Sequence, residues 1–200
     1  MKLSPQDLEK ITDLTLSHYN ELAEEFWEGT RDHNVHQNIA ALLQCIEGEP
    51  PFTILDFGCG PGRDLKAFAE LGHIAVGLEG AAHFAVMARA HSGCEVWQQD
   101  FLKLDLPGNR FDGVFANAAL FHVPSQELPR VLLELRASLK PVVCCSARTH
   151  MVITRKAGMA GATARIMILI PGAAMCQLRD SLRLITITVP PDCRAKNSPG

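Results

Sequence analysis

Over the first 46 positions apolar residues recur at helical spacing; beyond Pro50 short apolar runs alternate with further helical stretches. Ser4-Pro5-Gln6-Asp7 reads as a helix start, with Ser4 as cap, Pro5 at the first helical position and Asp7 at the positive end of the dipole. The spacing predicts a helix from there to about Leu16. Tyr19, Leu22, Ala23 and Phe26 continue a helical stripe, and Ile39, Leu42, Leu43 and Ile46 form another after the polar stretch from Thr30 to Gln37. Two or three helices are therefore expected before the first strand, as a helical cap over residues 1–49.

Residues 50–141 carry a different rhythm. Ile54-Leu55-Asp56-Phe57 is a short apolar strand running into glycines, and Leu65, Phe68, Ala69 and Leu71 mark a helix closed by Gly72. Ile74 to Leu78 predicts a second strand, Phe84, Met87, Ala88 and His91 a helix, and Val96-Trp97 a third strand. Phe111 to Phe115 follows as a fourth strand, and Leu128 to Leu139 as a leucine-rich helix. Strands alternating with helices pair in parallel through right-handed crossovers, so the expected class is α/β with a doubly wound, mainly parallel sheet.

The chemistry concentrates in Gly58-Cys59-Gly60-Pro61-Gly62, three glycines between a strand and a helix. Such a turn lets a ligand lie against bare backbone, and in open α/β sheets ligands occupy the carboxyl ends of the strands near the switch in strand order. A nicotinamide dinucleotide turn reads G-x-G-x-x-G; here the third glycine falls one place early and Arg63 fills the slot meant for a small residue. Asp64 at the helix start would also compete with a phosphate for the amide groups. A nicotinamide-dependent oxidoreductase is accordingly disfavoured.

With Asp56 before it and Gly62 closing it, this segment resembles the first motif of the class I S-adenosylmethionine-dependent methyltransferases. The resemblance runs from about Tyr19 to Lys140. It implies that the glycine loop, Gly58, Cys59, Gly60 and Gly62, holds the amino acid portion of S-adenosyl-L-methionine, with Asp56 orienting the loop or the cofactor ammonium. It also implies that Glu79, 21 positions after Gly58 and followed by Gly80, binds the ribose hydroxyls. Gln98-Gln99-Asp100-Phe101 supplies the acid expected near the adenine amino group, with Phe101 as its apolar neighbour. Arg110 to Asn117 resembles the fourth-strand motif, and Leu120-Phe121-His122-Val123 the turn beyond it. Cys59 is expected to contribute backbone and no thiol chemistry.

His122 is the catalytic candidate, as general base or substrate contact, beside a purely structural reading. Tyr19, Phe26, Trp27 and Arg31 lie where relatives place a lid, with Phe26 read more readily as core. His33 and His36 lack a third ligand, so no metal is expected. The methyl donor is already activated, and positioning alone supplies much of the catalysis.

Seven cysteines without a CxxC pair argue against a disulfide scaffold or zinc site. No uninterrupted apolar stretch has the length of a membrane span, and the N-terminus lacks an apolar signal core, which places the protein in the cytosol with no membrane partner. A net charge of −3 suggests no nucleic-acid partner. That average hides an asymmetry. Up to Lys140 there are 11 basic and 20 acidic residues, a balance of −9; beyond it there are 8 and 2, a balance of +6. All 12 aromatic residues precede Lys140, and four of the seven cysteines follow it.

Pro141 is followed by Val142-Val143-Cys144-Cys145, where the family continues with glycines and an apolar fifth strand. Joining the third base of each codon to the first two of the next permits, with the wobble bases chosen freely, a text that restores the glycine, the strand, the acids and the aromatics. One nucleotide lost near the Pro141 codon would produce this pattern. Residues 142–200 are thus expected to be an atypical, out-of-frame and poorly ordered tail, with the C-terminal strands missing or replaced and the fourth strand left as an edge. Ile166 to Ile170 and Leu182 to Val189 remain apolar enough to pair as strands. The expected function is methyl transfer to a small-molecule acceptor; the alternative is a cofactor-binding remnant with little or no activity.

Overall fold

The computed structural model describes residues 2–46, 48–141, 151–154 and 166–168. Three helices open the chain, α1 (Pro5–Glu21), α2 (Ala23–Thr30) and α3 (His36–Leu43). Ser4 caps α1 reciprocally: its hydroxyl accepts from the Asp7 amide, and the Asp7 carboxylate accepts from the Ser4 amide.

The alternating region follows as β1 (Thr53–Phe57), α4 (Arg63–Glu70), β2 (Ile74–Glu79), α5 (Ala82–Ser92), β3 (Glu95–Gln98), β4 (Gly113–Asn117) and α6 (Leu128–Ser138). Parallel pairing sets Ile54 beside Ala75 and beside Gly113, and Val76 beside Glu95. The fourth strand starts two residues later than its apolar pattern implies. Phe111 instead makes an isolated parallel bridge to Leu139.

Two further strands, β5 (Met151–Thr154) and β6 (Ile166–Ile168), extend the sheet to the order β3-β2-β1-β4-β5-β6. β5 runs parallel to β4, with Val114 beside Met151, and β6 runs antiparallel to β5. The C-terminal strands expected to be missing or replaced are thus replaced in part, and β4 is covered where it was expected to be an edge. The strand forms at Met151, downstream of the Val142-Val143 position, because β-branched and apolar residues there satisfy the pairing requirement of β4. Ile166 to Ile168 pairs as its apolar run allows. The rest of the tail, including Leu182 to Val189 and its expected disorder, lies outside the described residues.

Side-chain alternation divides the core between the two faces of the sheet. Leu55, Phe57, Val76, Leu78, Val114 and Ala116 pack against Val131, Leu132 and Leu135 of α6. Ile54, Ala75 and Phe115 face the other way, onto Ile39 and Leu42 of α3, Leu65 and Phe68 of α4, and Ala85 and Ala88 of α5. The sheet is therefore doubly wound, and its order reverses between β1 and β4, which opens a crevice at their carboxyl ends.

Candidate active site

At that crevice lies a cavity of about 600 Å³, in the range of small-molecule sites. Its floor is the loop after β1 (Gly58, Cys59, Gly60), the end of β2 (Glu79, Gly80), the turn after β3 (Asp100, Phe101), and Asn117 at the end of β4. The helices that precede β1 form its roof, through Leu16 and Tyr19 of α1, Phe26, Trp27 and Thr30 of α2, and Asn38 of α3. The roof docks through aromatic contacts: Tyr19 and Phe26 lie 5.5 and 5.1 Å from Phe84 of α5, and Trp27 lies 4.7 Å from His91 (ring centroids).

Glu79 is the most constrained acid of the floor. Its Oε2 accepts from the Gly60 amide and its Oε1 from the Ala81 amide, both at 2.9 Å. Burial pushes its pKa up, and these backbone hydrogen bonds oppose the push. A carboxylate has about four acceptor sites, so two remain for a ligand's hydroxyls. Gly60 sits at φ +53°, and an added Cβ would meet nothing nearer than Phe26 Cε1 at 4.0 Å. Its backbone is bare toward the cavity.

Asp56 and Gly62, both expected to touch the cofactor, stand behind this surface. Asp56 is fully buried under the loop, and its Oδ2 has no hydrogen-bond partner. Burial, with repulsion from Asp64, raises its pKa well above the carboxylate range, while Arg63 pulls the other way. Gly62 has φ +92°, and a Cβ there would come within 2.8 Å of the Ala88 Cα. It performs the close helix packing for which Arg63 is too large. Arg63 turns away instead: Nε and Nη2 bond the Asp64 carboxylate at 2.6 and 3.1 Å, and Nη1 bonds the Thr30 carbonyl at 2.8 Å.

Asn117 donates to Asp64 at 3.0 Å, and Asn38 donates to Asn117 at 3.5 Å. Ala118 follows at φ +57°, a left-handed conformation rare outside glycine, and swings the chain so that Ala119, Phe121 and His122 border the cavity. Asp100 lines the floor and holds its own turn by accepting from the Leu102 amide at 2.8 Å. Phe101 stacks on Phe57 with ring centroids 4.3 Å apart. Burial pushes the Cys59 thiol up, first by desolvation and then through Asp56, which keeps it protonated and inert.

Among the lid candidates, Tyr19, Phe26 and Trp27 line the cavity, so Phe26 belongs to the site and is partly exposed there. Arg31 lies outside it, paired with Glu28 on the surface. His33 lines the cavity and His36 does not; no metal-binding cluster exists among the described residues. Sequence reasoning missed Leu16, Asn38, Phe84 and Phe121. Leu16 and Phe84 lay on helical stretches and Phe121 in the turn motif after the fourth strand, and neither pattern distinguishes a residue facing a core from one facing a cavity; Asn38 gave no signal.

The residues present fit the implied cofactor: an unpartnered buried oxygen on Asp56, a bare backbone cradle and a pinned acid with spare acceptor capacity. The comparisons agree. Residues 54–142 match the model of a methyltransferase domain family. A 24-methylenesterol C-methyltransferase 2 of Oryza sativa subsp. japonica is 34% identical over 122 residues, 57% of this chain and 32% of that protein. The chain spans about a third of the length of the curated relatives it matches. Among solved structures, the 1,6-didemethyltoxoflavin-N1-methyltransferase of Burkholderia thailandensis superposes with a TM-score of 0.60 at 20% identity, covering 84% of this chain and 71% of that one. A SAM-dependent methyltransferase from Archaeoglobus fulgidus gives 0.54 at 22% identity, covering 69% and 58%. Fold and floor together define a doubly wound domain with a small-molecule-sized cavity at its switch in strand order. Over residues 54–142 the chain is similar to methyltransferase domains, and its fold is that of the S-adenosylmethionine-dependent methyltransferases it superposes on.

Proposed function

We propose that the chain transfers a methyl group from S-adenosyl-L-methionine to a small-molecule acceptor in the cytosol. The observation that carries this is Glu79, held by two backbone amides at the floor of a roofed cavity whose glycine loop is bare. When bound, the cofactor supplies an electrophilic methyl on a sulfonium. Glu79 receives the ribose hydroxyls, Asp100 and Phe101 border the adenine, and Gly58, Cys59 and Gly60 present backbone to the amino acid portion. Asp56, kept protonated beneath the loop by its burial, orients the loop and has an unpartnered oxygen for the cofactor's ammonium, and Asn117 borders the transfer point. Tyr19, Phe26 and Trp27 close the site and exclude water, which strengthens every electrostatic contact inside.

The acceptor reading rests on the cavity's size, and on the relatives, which are named for sterols and toxoflavin. No helix among the described residues is long and apolar enough to cross a membrane. Calorimetric titration with S-adenosylmethionine, S-adenosylhomocysteine and NAD, joined to a methyl-transfer assay, tests the proposal. Binding of the first two and not of NAD, with transfer, supports it. Binding without transfer identifies a remnant, and preference for NAD overturns it.

A further inference from the structure

We infer that Tyr19 and His122 form a proton relay that selects an acceptor of one class, a neutral aromatic ring bearing an O–H or N–H. The inference rests on the methyltransferase reading and adds the acceptor's chemistry to it. Tyr19 belongs to the roof and His122 to the turn after β4, 103 positions apart, yet Tyr19 Oη and His122 Nε2 are 3.1 Å apart. Their rings meet edge to face at 5.2 Å and 88°. Both line the cavity, and so does Phe121, whose ring stands 4.0 Å from His122 and is about half exposed. A flat ring entering here meets aromatic walls.

The pair's resting state suits proton acceptance. Burial pushes the His122 pKa down, so the imidazole is neutral near pH 7. Burial, followed by the Glu79 carboxylate, pushes Tyr19 up and keeps it a phenol. Glu79 is the charge that acts on Tyr19, and Tyr19 and Phe121 are the described ring neighbours of His122. With the proton on Nδ1, His122 Nε2 accepts from the Tyr19 hydroxyl. As the acceptor's heteroatom uses a lone pair to form its bond to the methyl carbon, the carbon–sulfur bond breaks and its electrons stay on sulfur. The acceptor's proton passes to Tyr19 Oη while the tyrosine proton passes to His122, leaving imidazolium, neutral tyrosine and a neutral methylated product.

Charge narrows the class further. Arg63 is the only lysine or arginine among the described lining residues, and its guanidinium is taken by Asp64 and by the Thr30 carbonyl. An acceptor carrying phosphate or carboxylate would find no unengaged cation among them. An alkene carbon has no heteroatom-bound proton for the relay to remove.

Two probe acceptors test this, 2-naphthol, which must lose a proton, and quinoline, a neutral ring whose nitrogen has none to lose. With saturating S-adenosylmethionine, Tyr19→Phe and His122→Asn should each lower transfer to 2-naphthol by about 100-fold, the lower end of general acid–base contributions, and change transfer to quinoline by less than about threefold. A second readout needs no turnover. In protein with ¹⁵N-labelled histidine and bound S-adenosylhomocysteine, 2-naphthol should shift the resonance that disappears in His122→Asn, and Tyr19→Phe should abolish the shift. Equal losses with both probes would reduce the pair to a structural latch and overturn the relay. So would an unmoved His122 resonance, or wild-type transfer to quinoline but not to 2-naphthol. Cofactor titration of the same samples separates these outcomes: if S-adenosylmethionine fails to bind, the broader methyltransferase reading falls as well.

Discussion

At the scale of single residues the site depends on acids whose surroundings differ. Glu79 binds two loop amides and offers its remaining acceptor sites to a ligand, whereas Asp100 bonds one amide of its own turn. Charge-assisted hydrogen bonds contribute roughly 1.5 to 3 kcal/mol each, so Glu79→Ala should weaken S-adenosylmethionine binding at least about tenfold, and more than Asp100→Ala does. Titration calorimetry on folded variants checks the order. Asp56 gives a prediction of opposite character. Its folded-state pKa is raised, so the folded chain holds a proton that the unfolded chain releases, and stability falls as pH rises above the unfolded value toward the folded one. Asp56→Asn should therefore raise the melting temperature of the ligand-free protein at pH 8 while leaving it nearly unchanged at pH 3, and should weaken cofactor binding. About 2 to 4 °C is expected per kcal/mol in a chain of this size. A melting-temperature gain equal at both pH values would show that the charge is not the cause. Glu79 was legible in the sequence because its distance from Gly58 is fixed by one helix and one strand. Asn38 was not, because its approach to Asn117 depends on how α3 docks across 79 positions of chain.

At the scale of elements, two neighbouring glycines do different work. Gly60 faces open cavity, while Gly62 brings the start of α4 against the α5 backbone. Gly62→Ala should destabilise the fold by about 1 to 3 kcal/mol, since both a positive φ and a backbone clash oppose the new methyl group. Gly60→Val should abolish cofactor binding with a smaller loss of melting temperature, because its side chain would occupy ligand space. Thermal melts and titrations of the two variants side by side distinguish these roles, and reversed effects would exchange the assignments. Element order and sheet direction were readable because strand and helix periods alternate so regularly between Ile54 and Leu139. The start of β4 was not: Phe111 has a strand-like pattern, but the Lys140 amide donates to its carbonyl at 2.8 Å and its own amide is held by Ser138 at 3.0 Å, which ties it to the end of α6 instead.

At the scale of the molecule, the division at Pro141 is the feature with the widest consequences. We propose that residues 142–200 are encoded one nucleotide out of register, since aromatics vanish and acids fall to two at that point. A protein carrying the restored text should melt higher and bind S-adenosylmethionine more tightly than the present chain, because aromatic burial adds to the core and a ligand of the folded state reports its population. Equal melting temperatures and affinities would make the present tail a competent part of the fold. The roof raises a separate question, how a ligand so enclosed is ever released. Gln126 bonds the Leu3 backbone, and Asn20 accepts from the His83 amide; both ties are exposed to solvent. Hydrogen bonds of this kind contribute only about 0.5 to 1.5 kcal/mol each, far less than the sheet beneath them. The first two helices are fastened by these ties and by the ring contacts of Tyr19, Phe26 and Trp27 with α5, none of them strand pairing, so how long spent cofactor lingers depends on how firmly they hold, and cutting one of the exposed ties should hasten its escape.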